Sequence, residues 1–179
     1  MAGIKKCITL ILTGILICMA FACGKKNDDI EALGKVVSGL GDDDLFAIIE
    51  IGAKHPVLLT SDQTYDDKNG NQASIFCDVY YEGEDGEAKK IGTLESLGTA
   101  YPIAYDKSGL YTAGGHEVQR YEVDKAGFLV MAEGVYEIYD DTGTAAYTRE
   151  TADGTETITE KEYMAMVEAY GKAAVVNFR

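Results

Sequence analysis

The sequence predicts an α+β fold: a twisted antiparallel β-meander, partly propeller-blade-like, with one helix near each end of the mature chain. Three observations predict it. Between Leu45 and Glu150, short apolar segments alternate with polar residues at a period of two, the mark of strands with one buried face. Turn quartets such as Asp106-Lys107-Ser108-Gly109, Asp124-Lys125-Ala126-Gly127 and Asp140-Asp141-Thr142-Gly143 separate these segments, so successive strands reverse direction. On either side the apolar spacing changes to three and four, as a helix with a single apolar stripe requires.

The first helix is read from Ile30, Leu33, Val36, Val37 and Leu40, with Asp28 or Asp29 as N-cap and Gly39 and Gly41 ending it. Segments 45–51 and 56–60 are strands joined by Gly52-Ala53-Lys54-His55. Segment 74–82 places Ile75, Cys77, Val79 and Tyr81 on one face, and the Asp-Gly pair at Asp85-Gly86 turns it into the next strand. Further strands are expected at 88–94, 99–105, 109–113, 116–124, 127–133, 134–140 and 144–150. Thr159 and Glu162 form a capping box at the start of the second helix, which carries Tyr163, Val167 and Tyr170, with Met164 or Met166 beside them. Gly171 stops this helix, and 173–178 is a last strand.

The N-terminal segment follows other rules. Lys5 and Lys6 precede an uncharged apolar run from Ile8 to Ala22, and small residues lead to Cys23. A basic start, a short apolar core and a small-residue exit describe a secretory signal, whereas a membrane span needs about 20 apolar residues. Ala20-Phe21-Ala22-Cys23, followed by Gly24-Lys25-Lys26, resembles the lipobox of bacterial, Gram-positive-type lipoproteins, although Ala20 stands where leucine is usual. The resemblance implies cleavage before Cys23, diacylglyceryl attachment at its thiol and residence on the outer face of the cell membrane. The boundaries are then 1–22 signal peptide, 23–29 tether and 30–179 a single β-rich domain. Cys18 is the poorer candidate, since Ile17 precedes it and apolar residues follow. Two acyl chains hold a protein at a bilayer where one does so only marginally.

Composition narrows the function classes. The chain has 179 residues, 46% of them hydrophobic, and a net charge of -14. Loss of Lys5 and Lys6 leaves 14 basic against 30 acidic residues, a net charge of -16. Such a body is repelled by nucleic acid and by anionic headgroups, so no nucleic-acid partner is expected and the domain stands off the bilayer. Cys7 and Cys18 leave with the signal and Cys23 carries lipid, so Cys77 alone remains and no disulfide framework exists.

Two stretches carry candidate chemistry. Residues 45–62 resemble a β-hairpin module of surface lipoproteins in which an Asp-rich calcium loop joins two strands. Here Glu50, Gly52 and Lys54 occupy the ligand positions, which implies a retained hairpin and lost calcium binding. In the loop Asp62–Ser74, the side chains of Asp67, Asn69 and Asn71 repeat every two residues, as ligands of a hard cation do, and Asp78 lies eleven residues beyond Asp67. Calcium is the cation this pattern would take. Gln72 stands where an EF-hand needs glycine, and a turn around Asn69-Gly70 is the simpler reading.

No catalytic residue is assigned. The chain has no Gly-x-Ser-x-Gly elbow, P-loop or dinucleotide fingerprint, and the two histidines do not form a zinc motif. Cys77 with His116 is the one thiol–imidazole combination, yet Cys77 shares a strand face with Val79 and reads as a small buried hydrophobe. Paired acids such as Asp140-Asp141 and Glu160/Glu162 read as turn and cap residues. Twelve tyrosines and no tryptophan suit half-buried pleated surfaces, with a peptide- or glycan-recognition row as the alternative. The expected function is a lipid-anchored, non-enzymatic binding or structural domain, with an unidentified protein, peptide or glycan as partner. A surface hydrolase using paired carboxylates and a calcium-binding module are the alternatives.

Overall fold

Alternation along β8 (Gly109–Ala113) organises the molecule: Leu110 enters one hydrophobic core, whereas Tyr111 and Ala113 enter another on the opposite face. The computed structural model describes residues 27–179, with side chains from Glu31 onward. The signal peptide, Cys23 and the start of the tether lie outside the described residues.

The fold is α+β and antiparallel throughout, as expected, but the meander divides into two packed sheets and a small ribbon. The first sheet has four strands, β1 (Leu45–Ile49), β2 (Val57–Ser61), β5 (Phe76–Glu82) and β6 (Ala88–Glu95), paired in that order. The ribbon, β3 (Thr64–Asp66) and β4 (Gln72–Ser74), is inserted between β2 and β5. The second sheet continues with β7 (Ala104–Asp106), β8, β9 (Glu117–Val123), β10 (Leu129–Tyr139), β11 (Ala145–Thr151) and β12 (Gly154–Ile158). Sheets of four and seven strands do not repeat a propeller blade.

The larger core lies between the sheets. Ala47, Val57, Leu59, Cys77, Val79 and Leu94 of the first sheet meet Leu110 of β8, with Tyr105, Tyr121 and Leu129 packed against them. On the far face, α2 (Glu160–Lys172) lays Tyr163 and Met166 over Tyr111, Val118 and Val135. The α1 helix (Asn27–Val37) packs on β5 and β6, with Ala32 and Leu33 buried.

The chain end ties the layers together. Beyond α2, β13 (Ala174–Val175) pairs with β7, and Val176 and Phe178 sink into the core between the sheets. The Phe178 amide donates to the Gln72 carbonyl, and Arg179 exchanges two backbone hydrogen bonds with Phe46 on β1. An otherwise open sheet edge, a natural site for unwanted pairing, is thus covered by the chain itself.

Several expectations need correction. The α1 helix starts at Asn27, within the expected tether, so Asp28 and Asp29 lie in its first turn, and it ends before Leu40. Segments 127–133 and 134–140 are not two strands: β10 runs unbroken through Gly134, with a bulge between Met131 and Glu133. Segment 99–105 contributes strand only from Ala104, and 154–158, to which the sequence pattern assigns no element, is β12. The capping box is present: Glu162 N–H donates to the Thr159 hydroxyl at 3.3 Å, and Thr159 N–H to the Glu162 carboxylate at 2.8 Å.

Candidate functional site

The turns show where the acidic residues go. In Asp67-Lys68-Asn69-Gly70, Asp124-Lys125-Ala126-Gly127 and Asp140-Asp141-Thr142-Gly143, the leading carboxylate accepts the amides two and four residues on, at 2.8 to 3.0 Å. Asp106 accepts the Ser108 amide in the same way at 2.6 Å. Side-chain donation from Asn71 holds the Asp67 carboxyl below its usual range, and Thr142 does the same for Asp140.

This pattern places the four candidate cation ligands. Asp67, Asn69 and Asn71 share the β3–β4 turn, and the Asn71 side-chain amide donates to Asp67 Oδ2 at 2.7 Å. Asp78 belongs to β5, where Lys90 Nζ lies 2.7 Å and Thr93 Oγ1 3.0 Å from its Oδ1. The Asp67 oxygens are thus engaged by their own turn, and Asp78 is engaged within another sheet. The acids at Asp140 and Glu162 serve a turn and a helix cap.

Cys77 and His116 are not brought together. Cys77 is fully buried between the sheets, and desolvation pushes its thiol far up. His116 is exposed, with Nδ1 2.8 Å from Glu137 Oε2 and its ring edge-on to Tyr139. That hydrogen bond lowers the Glu137 carboxyl.

The feature with the geometry of a binding site is a cleft of about 330 Å³ where three connections meet, residues 52–55, 81–84 and 123–127. The first connection is the β1–β2 loop. Gly52 has a φ of +78°, and a Cβ there would stand 2.4 Å from the Lys107 carbonyl oxygen. A left-handed glycine therefore lets this loop touch the β7–β8 turn. The His55 amide donates to the Tyr81 hydroxyl at 3.2 Å, so an aromatic residue of the core anchors the loop.

Glu82 sets the character of the cleft. Strand alternation would turn it outward beside buried Tyr81, yet both are buried, and Glu82 is only 7% exposed. Its Oε2 is buried and has no hydrogen-bond partner among the described residues. Removing a carboxylate oxygen from water without a hydrogen-bond partner is costly. Lys54 and Lys125 line the same cleft and make no ion pair with any described residue, whereas Lys89, on the β6 strand, pairs with Asp85. Asp124, also lining it, is occupied by its own turn. The cleft is therefore lined by the buried Glu82 Oε2, the His55 imidazole and two exposed lysines.

Sequence reasoning isolated the Gly52–His55 loop but missed Glu82, because nothing local distinguishes it from an outward-facing strand glutamate. No protein family, no curated protein and no solved structure matches the chain.

Proposed function

We propose that this chain is an extracytoplasmic lipoprotein, anchored by a diacylglyceryl group on Cys23, whose two-sheet domain binds a polar solute without transforming it. The observation that carries the binding reading is the buried Glu82 Oε2, without a hydrogen-bond partner among the described residues, in a cleft framed by three turns. Binding sites favour a few placed polar groups in a concave setting, and an acceptor and two cations line this small volume. A hydrolase using carboxylates would need a second inward-facing acid, and the other acids of the cleft, Glu84 and the turn-bound Asp124, do not fill that role: Glu84 is exposed. The support for the anchor is the Ala20-Phe21-Ala22-Cys23 motif after an apolar run.

The test of the address is fractionation of a lipoprotein-processing bacterium that expresses the full chain. The wild type is expected in the membrane fraction and Cys23→Ser is expected to lose diacylglycerol labelling. Unchanged labelling and membrane retention in Cys23→Ser would overturn the anchor.

A further inference from the structure

We propose that the cleft binds a small zwitterion of the α-amino-acid type, its ammonium group on Glu82 and its carboxylate facing Lys54 and Lys125. This rests on the binding reading and names its ligand class. A buried carboxylate with one oxygen lacking a donor is best complemented by a group with several N–H donors and a positive charge, which a primary ammonium supplies. Hydroxyl groups would donate but leave the charge uncompensated.

The two lysines argue against a simple amine. Lys54 and Lys125 come from different connections, are exposed, and have no acidic partner among the described residues of a chain with 30 acids and 16 bases. In so acidic a protein, two cations without an ion pair among the described residues line the same cleft as a buried carboxylate oxygen, so the cleft offers both signs of charge. A zwitterion matches both ends. The cleft's volume, about 330 Å³, lies at the small end of ligand sites, which suits one amino acid or a short peptide's N-terminus. Tyr81 fixes the inner wall through the His55 amide, so the loop that carries Lys54 is held in place before a ligand arrives.

The test is isothermal titration of the detergent-purified full chain with L-alanine, dialanine, alanine amide, N-acetylalanine and glucuronate. Alanine or dialanine is expected to bind saturably, and whichever is tighter separates a free amino acid from a peptide N-terminus. N-acetylalanine, without the ammonium, is expected to bind at least about tenfold more weakly, the loss of a charge-assisted hydrogen bond. Alanine amide is expected to weaken through loss of the carboxylate. Glu82→Gln should weaken alanine about tenfold while melting at or above the wild-type temperature, since an unpaired buried charge is removed. Lys125→Met, at an exposed position, provides a second variant with weakened alanine binding and undisturbed folding. Equal binding of alanine and N-acetylalanine overturns the proposal, as does unchanged affinity in Glu82→Gln. Binding of glucuronate alone overturns it while leaving a solute-binding cleft. No heat from any probe at about 10 mM overturns the ligand class, and the fractionation result judges the anchor independently.

Discussion

At Gly52, one residue joins local conformation to the candidate site. Its positive φ and the approach of the Lys107 carbonyl leave no room for a side chain. Gly52→Ala is expected to cost about 1–3 kcal/mol, read as a lower urea midpoint, and to weaken any ligand of the cleft by moving the loop. An unchanged midpoint would mean that the β1–β2 loop and the β7–β8 turn do not meet as described. Glu82 is the complementary case. Its burial and missing partner run against stability, as residues at binding sites often do. The Gly-Ala-Lys-His connection was legible as a loop from sequence, since two strand patterns flank it. Glu82 was illegible, because its surroundings depend on connections 27 residues before it and 41 residues after it in the chain.

Among elements, the chain end and α2 stabilise the fold in different ways. Val176 and Phe178 are buried between the sheets although they fall outside regular strand. Phe178→Ala is therefore expected to cost about 3–5 kcal/mol and to loosen both sheets, whereas Thr159→Ala, which removes only the α2 cap, costs about 1 kcal/mol. Denaturant unfolding of the two variants checks this order; a smaller loss for Phe178→Ala would mean that the terminal segment is not part of the core. The capping box was readable because both its partners lie within one helical turn. The long β10 was not, since a glycine at position 134 resembles a turn signal. The structure places the Tyr136 hydroxyl and ring against the space where a Gly134 side chain would stand, so a small residue is needed within a continuous strand.

Over the whole molecule, the acidic residues act as turn caps, and this sets a pH dependence. Asn71 lowers the Asp67 carboxyl, Lys89 that of Asp85 and Thr142 that of Asp140. For Asp106, burial works upward but is outweighed by donation from Ser108, Tyr111 and Gly109, and the net shift is downward. A carboxyl with a depressed folded-state pKa binds fewer protons when folded. Its contribution is present above the unfolded value, about 4, and is lost as pH falls through the depressed one. The urea midpoint is expected to fall steeply below about pH 4, and Asp67→Asn with Asp140→Asn should flatten that slope. An equally steep slope in the double variant would show that these turns do not carry the acid sensitivity.

The sequence by itself determined the α+β class, most strand segments, the hairpin turns and the α2 cap, because each rests on periodicity or on partners a few residues apart. The lipobox resemblance likewise is a local motif. Tertiary structure decided the division into two sheets, the covering of the β1 edge by Arg179 and the assembly of the cleft. Those features depend on which faces meet, and alternation reveals only that a face is apolar. Two sheets can exchange partners without changing any local pattern, so the layer order, and the burial of Glu82 within it, exist only in three dimensions.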